Sequence, residues 1–518
     1  MKDQTLYLIA MIIYMAVVIG IGVVYAKRAN KSSEDYFLGG RSLGPWVTAM
    51  SAEASDMSGW LLMGLPGVAY WFGLADAAWT AIGLAIGTYL NWLIVSKRLR
   101  RYSVQANNAI TLPEFFSNRF REKRKLVMTI SAAFILIFFT VYAASCLVTC
   151  GKLFSTLFGA SYIPMMLLGA LFVLIYTILG GFLAESASDF MQSIVMIVAL
   201  ATVVIIGLVT AGGIGAVVSN AKEIPGFLEF FGLANPALNE AGEQIVENGK
   251  PLFDTANSYG FLTICSTMAW GLGYFGMPQV LLRFMAIRRE DELKRSRRIA
   301  MVWVVISLAV AVFIGIIGRQ IHPTTHLTKA SAENIFITMA TSSLPAILAG
   351  FVMAGILAAT ISSSDSYLLI AASAFAKNIF QGVAKKKATD KQVMLVSRIT
   401  LLVITAIAIV IALDENSVIF KIVSFAWAGF GATFGPLMLF SLFWKRTTRA
   451  GAIAGMIGGG GMVFLWNLVI SKLGGVFAIY ELLPAFIFSS ICIVVVSLLT
   501  PEPSKEILED FEIAKNKQ

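Results

Sequence analysis

The stretch Ala54–Gly64 reads ASDMSGWLLMG. It sets Asp56 between Ser55 and Ser58 inside a run otherwise apolar enough for a membrane, and Glu53 stands just before it. A charged side chain near a bilayer centre costs about 2.5–3.5 kcal/mol even on lenient insertion scales. The aspartate therefore belongs to a protein-lined or wet interior, and the glycines around it (Gly59, Gly64, Gly67) with Pro66 mark a helix that does not run through.

A second stretch has the same character. Trp270–Pro278 reads WGLGYFGMP, with Gly271, Gly273, Gly276 and Pro278 interrupting another apolar segment. Broken helices free backbone carbonyls and amides, which are tolerated at membrane depth only against protein or a water-filled cavity. Paired interruptions in two halves of a chain point to a transporter's binding site at the midplane. Close helix packing alone explains glycines. It does not explain glycines joined by Asp, Ser, Trp and Tyr at the same depth.

The rest of the chain supports a membrane setting. Its 518 residues are 58% hydrophobic and only 14% charged, against about 25% charged in ordinary soluble domains. Apolar runs long enough for a spanning helix, about 20 residues, recur from Leu6–Tyr25 to Leu483–Leu499. Leu6–Tyr25 is too long for a signal-peptide core and no small-residue cleavage site follows it. The net charge of +10 is carried in particular loops: Lys27–Lys31, Lys97–Arg101, Asn118–Lys125, Arg288–Arg298, Lys385–Lys387 and Lys445–Arg449. That distribution reads as positive-inside topology, not as a nucleic-acid surface. The acidic segment Gly213–Tyr259 and Asp414–Ser417 then face outward.

These loops predict an all-α polytopic protein of about 13 spans, beginning near residues 5, 45, 76, 126, 162, 189, 258, 299, 332, 392, 417, 450 and 478, with the N-terminus outside and the C-terminus in the cytoplasm. The interruptions fall in spans 2 and 7, the spacing of two five-helix inverted repeats. The expected divisions are 1–44, a first helix and cytoplasmic loop; 45–212, the first repeat; 213–257, an extracellular segment; 258–443, the second repeat; 444–500, two further helices; and 501–518, a solvated tail with no catalytic or signalling module. A short surface helix is expected after Thr111 and Pro113.

Four polar clusters carry the chemistry: Asp56 with Ser58; Trp270 with Tyr274, on one helical face at i,i+4; ATISSSDS at Ala359–Ser366; and SASD at Ser186–Asp189, placed near the inner end of the fifth span. Hydroxyls and carbonyls suit a hard cation such as sodium, although a single serine more often bonds the carbonyl four residues back. Trp and Tyr offer flat apolar faces with one donor each, which suits a small solute. Cys146 and Cys150 read as small buried filler, and His322 and His326 as an outer surface loop rather than a zinc site. No P-loop, nucleophile elbow, HExxH or dinucleotide fingerprint is present, so the chain is read as no enzyme.

These residues make the chain resemble the sodium/solute symporter family, and within it the bacterial proline transporters. The resemblance rests on Asp35–Gly67, AITLPEFF (Ala109–Phe116), YTILGGFLA (Tyr176–Ala184), WGLGYFGMPQVLLRFMA (Trp270–Ala286), SFAWAGFGATFGP (Ser424–Pro436) and Ala450–Met456. It implies sodium-coupled uptake of proline across the cell membrane by alternating access, with sodium as co-transported ion and no cofactor. A sodium symporter for another small amino acid or carboxylate is the alternative within the family; a channel or a membrane receptor is the alternative outside it.

The resemblance implies a sodium site of Ala54, Met57 and Ala359 carbonyls with Ser362 and Ser363 hydroxyls. It implies a solute site of Ser58, Trp60, Gly64, Tyr142, Trp270, Tyr274 and Pro278, and coupling roles for Arg41 and Asp56. Asp189, Asp365 and Ser366, with Ser362, form a possible second cation site. The chain departs from the family at Glu53, where glycine is usual, at ATISSSDS, and at FGMPQVLLRFM (Phe275–Met285).

Overall fold

The computed structural model describes residues 2–29 and 32–516. The basic run Lys27–Lys31 is described only to Ala29, and residues 1, 517 and 518 likewise lie outside the described residues. Ten helices among the described residues are long and apolar enough to cross a bilayer, from Asp3–Val24 to Leu482–Leu499. Three further apolar segments are short or broken: Pro45–Asp56 continuing as Trp60–Phe72, Tyr162–Ile178, and Phe261–Met268 continuing to Pro278–Ala286.

The first break follows Asp56. Met57 leaves helical geometry (φ −83°, ψ 79°), with its amide still closing on the Glu53 carbonyl at 2.8 Å. Trp60–Gly64 then forms a wide π turn before Leu65–Phe72 resumes, with Pro66 in a first-turn position that needs no amide donor. The second break is built differently. Ala269–Gly276 winds as a tight 3₁₀ helix, Met277 is extended (φ −77°, ψ 109°), and Pro278 opens Pro278–Ala286. Gly271 allows the close approach that holds this turn: a Cβ there would come 3.2 Å from the Gly87 Cα on Leu74–Leu90.

Ala346–Ser373 is the hub. It packs against Tyr162–Thr210, Leu126–Phe158, Lys2–Ala29 and Pro45–Asp56, and every residue from Val352 to Ser373 is buried. A helix apolar on all sides is one enclosed by its neighbours, and its serines are therefore interior groups.

Several sequence expectations change. The sixth apolar span begins at Gly181, not near 189, because Gly181 (φ 64°, ψ 177°) turns the chain there. A left-handed φ of this kind costs glycine nothing. Ser186–Asp189 thus opens the sixth span rather than closing the fifth. The ninth begins at Ala346, not near 332; residues before it form Lys329–Ala332 and Ile335–Ser343, two short helices packed as a lid. The acidic segment is not helical throughout: Gly232–Pro236 pairs antiparallel with Phe253–Ser258, and Val246–Glu247 with Lys250–Pro251. The tail is not loose. Lys505–Asn516 is a helix whose Phe511 is buried beside Tyr102, and Asp510 accepts from Arg121 at 2.7 Å. His326 is buried rather than on the surface, against Tyr70 and hydrogen-bonded to Thr338 at 2.9 Å. The helix after Thr111 forms as expected, Leu112–Arg119, with the Thr111 hydroxyl capping the Glu114 amide. Cys146 and Cys150 are buried and unbridged.

Candidate functional site

The two breaks meet the hub helix in the interior. Ser362 and Ser363 both donate to the Ala54 carbonyl, at 2.8 and 3.2 Å, and Ser362 also reaches the Ala359 carbonyl at 3.2 Å. Four of the five oxygens expected to hold sodium are therefore within hydrogen-bond reach of one another, all buried. Met57, the fifth, sits at the turn, where its ψ carries its carbonyl off the helix direction. This donor set is neutral and all-oxygen, the chemistry a weakly held hard cation requires.

Asp56 bridges the two breaks. Tyr274 donates to its carboxylate at 2.7 Å and Gln279 at 3.4 Å. Its backbone carbonyl accepts from the Trp60 indole at 3.0 Å and from Tyr367 at 3.4 Å. The aspartate is thus held by its neighbours two residues from the Ala54 carbonyl.

Around this point the aromatic residues assemble. Tyr142 stacks on Tyr367 with ring centroids 4.2 Å apart, and Tyr274 meets Trp427 edge-on at 5.0 Å. Trp270 stacks on Tyr480 and lies against Phe420, each at 5.1 Å, and its carbonyl accepts from the Trp427 indole. Gly64 keeps this wall open: its Cβ would meet Phe420 at 3.4 Å and the Trp60 Cβ at 3.5 Å. The Ser58 and Tyr142 hydroxyls are buried and have no hydrogen-bond partner. Such groups cost free energy unless something polar joins them. Both belong to the solute set expected from the sequence. Pro278 contributes the start of the second half-helix.

Arg41 lies at the basic end of the bundle. It donates to Asn108 (2.9 Å), Ser103 (3.1 Å) and the carbonyls of Met285 (2.6 Å) and Ala109 (2.8 Å). It ties the loop before the first broken helix to the far end of the second.

The expected second cation site is more crowded than its residues implied. Arg283 enters it, donating to Ser51 (3.0 Å), Asp189 (3.2 Å), Ser366 (2.9 Å) and Glu185. Ser51 donates to Asp189 at 2.7 Å, and Ser366 donates to Glu185. The Asp189 and Ser366 side of the cluster is therefore already served by a guanidinium. Asp365 stands apart, with both carboxylate oxygens buried and without a hydrogen-bond partner.

The chain matches the model of the sodium:solute symporter family over residues 36–459. It belongs to that family. It is 42% identical over 512 residues to a sodium/proline symporter of Haemophilus influenzae, covering 98% of this chain and 97% of the relative. It is 40% identical over 515 residues to a sodium/proline symporter of Escherichia coli K12, covering 99% and 96%. Among solved structures, a sodium-coupled sialic acid symporter in a substrate-bound outward-open state shares the fold, with TM-score 0.77 at 18% identity over 96% of this chain and 99% of that one. A nucleobase-cation-symport-1 family transporter is more distant, with TM-score 0.51 at 13% identity over 92% and 98%. As a family member the chain is a multi-pass membrane transporter and not an enzyme.

Sequence reasoning missed Glu185, Arg283, Gln279, Tyr367, Trp427 and Phe420. Arg283 had a signal: a lone arginine within the apolar run VLLRFMA needs a buried anion, and Glu185 stands directly before Ser186–Asp189. The aromatic partners had none, since they come from distant segments.

Proposed function

We propose that the chain carries L-proline into the cell with sodium by alternating access. The observation behind this reading is the convergence of the Ala54, Ala359, Ser362 and Ser363 oxygens next to an aromatic pocket with two unpartnered hydroxyls. Its relatives at about 40% identity are sodium/proline symporters, which supports proline as the solute.

Sodium at these oxygens joins the first half of the broken helix to the hub. Asp56, two residues on, passes that constraint to Tyr274 and hence to the second break. Trp270, Tyr274, Trp60 and Tyr142 then present apolar faces to the pyrrolidine ring, Gly64 leaves it room, and Ser58 and Tyr142 meet its polar end. Arg41 holds the cytoplasmic side closed until the two half-helices move. The driving force suffices. One charge moving through about 100 mV releases ~2.3 kcal/mol, and a tenfold sodium gradient adds about 1.4. Together they support roughly 500-fold accumulation.

The ten long spans and three short or broken segments amount to thirteen crossings, with 45–212 and 258–443 as inverted five-helix repeats, flanked by 1–44, 213–257, 444–500 and 501–518. The basic loops place the C-terminus in the cytoplasm and the N-terminus outside. Asp365, with Asp189, Ser362 and Ser366, serves a second cation or proton. A sodium Hill coefficient of one in both wild type and Asp365→Asn would remove that second site.

Competition of labelled proline uptake by a panel of unlabelled amino acids and carboxylates tests the solute. Proline and close ring analogues should compete best. Stronger competition by an unrelated carboxylate would move the reading to another solute of the same family.

A further inference from the structure

A cavity of about 220 Å³ lies above the aromatic pocket, between the resumed helix Leu65–Phe72, the Lys329–Ser343 lid and the start of Ile419–Phe443. Gly64 and Phe420 belong to both spaces, so they form the floor of one and the roof of the other. At roughly 30 Å³ per water the space holds about seven waters, or one small solute with a few.

Its charges are not spent on one another. Among the described residues, Lys329 makes no ion pair; its ammonium sits 4.5 Å over the Phe72 ring. Lys421 makes none either. Burial pulls the Lys329 ammonium below its usual range; Asp76 opposes this and Lys421 reinforces it, so the three charges share one field. Asp76 accepts one bond, from the Tyr259 hydroxyl at 2.7 Å. Glu333 also lines the cavity, but its carboxylate is consumed by Lys152 at 2.7 Å and by the amides of Ile419 and Phe420 at 2.9 Å each. What faces the space is two cations and one carboxylate above an aromatic floor.

That pattern complements a zwitterion. We propose that this cavity is a second, weaker site that receives a small zwitterionic amino acid, the solute's carboxylate toward Lys329 and Lys421 and its ammonium toward Asp76, before it passes Gly64 and Phe420 to the deeper pocket. This rests on the amino-acid reading of the transporter given above. The cavity shares no residue with the Ala54, Ala359, Ser362 and Ser363 cluster. Occupancy here needs no sodium.

Equilibrium binding of labelled L-proline to the purified full-length chain in lipid nanodiscs, with sodium and with choline in its place, separates the two sites. Wild type should show one sodium-dependent class and one weaker class that survives in choline. Lys329→Gln/Lys421→Gln and Asp76→Asn should each weaken the sodium-independent class by about tenfold or more, the value of one charge-assisted contact. The sodium-dependent class should stay at one per chain in both variants.

Absence of the sodium-independent class in wild type overturns the proposal. So does its persistence in the double lysine variant, or its displacement by chloride at the concentration of sodium used, which would make it a plain anion site. Equal competition by a carboxylate lacking an amine removes the role of Asp76 and with it the zwitterion. Loss of the sodium-dependent class alone, with the weaker class intact, contradicts the deeper proline site instead.

Discussion

Glu333→Gln should open the lid. The carboxylate uses both oxygens: one accepts from Lys152 (2.7 Å) and the Ile419 amide, the other from the Phe420 amide. Side-chain exposure is 6% at Lys152 and 2% at Glu333, so neither charge has water to fall back on. The glutamine amide must turn its NH₂ toward either the lysine or a backbone donor, so one contact becomes a donor facing a donor. Breaking a buried pair by removing one partner costs about 3–5 kcal/mol. Lys152 keeps the Ala330 carbonyl at 3.1 Å, which holds the loss to about 3 kcal/mol at the low end of that range.

This contact joins Leu126–Phe158, the lid and the start of Ile419–Phe443, and Gly67 of the broken helix packs against Glu333. A loss of ~3 kcal/mol moves the closed-to-open ratio by roughly 150-fold. Cys146 reports the opening. It is fully buried, one turn from Tyr142 on the same helix. In a chain retaining only that cysteine, a water-soluble thiol reagent should label Glu333→Gln at least tenfold faster than the parent. Lys152→Met combined with Glu333→Gln should label more slowly than Glu333→Gln alone, because the stranded ammonium is gone. Unchanged labelling, or strictly additive effects of the two substitutions, would refute the latch.

Other consequences are as direct. Arg283→Met strands Glu185 and Asp189 without their cation and should cost about 3–5 kcal/mol, read as a large drop in thermal stability in detergent, with Arg283→Lys intermediate. His326 is pushed down to about 4 chiefly by burial, with His322 and Arg319 adding to it. The unfolded chain therefore takes up a proton from pH 6.5 downward that the folded chain refuses until about pH 4. Stability should be fully present above pH 6.5 and fall through that window by up to about 3 kcal/mol, and His326→Asn should remove this dependence from a pH series of melting temperatures. Phe511→Ala should release the C-terminal helix to protease more than Asp510→Ala does, because a buried phenylalanine is worth about 3–5 kcal/mol and the exposed Arg121–Asp510 pair about 0–1.

What was readable in the sequence was local. Apolar run lengths reported the spans. Asp56 with its glycines reported the first break, because an ionisable group at membrane depth is rare unless a protein-lined or wet interior holds it. The Ala359–Ser366 serines were legible for the same reason. Boundaries failed where one glycine conformation decides them, as at Gly181, or where an apolar segment lies in a lid, as at Ile335–Ser343. The docking of the C-terminal helix was hidden because its charge pattern resembles a solvated tail, while the deciding contact is a single phenylalanine under Tyr102. The Arg283 cluster was hidden because Ser51, Glu185, Asp189, Arg283 and Ser366 come from four segments. Glu53 now has one partner, the Trp92 indole at 3.1 Å, and one buried oxygen with none.

The central claim is that sodium at Ala54, Ala359, Ser362 and Ser363 drives proline uptake. Initial rates of labelled L-proline uptake into proteoliposomes, measured against external sodium at fixed membrane potential, test it in wild type and Ser362→Ala/Ser363→Ala. Wild type should accumulate proline above equilibrium only with an inward sodium gradient, and the double variant should need at least tenfold more sodium for half-maximal rate. Identical sodium dependence in the two proteins, or uptake that proceeds equally in potassium, would contradict the account.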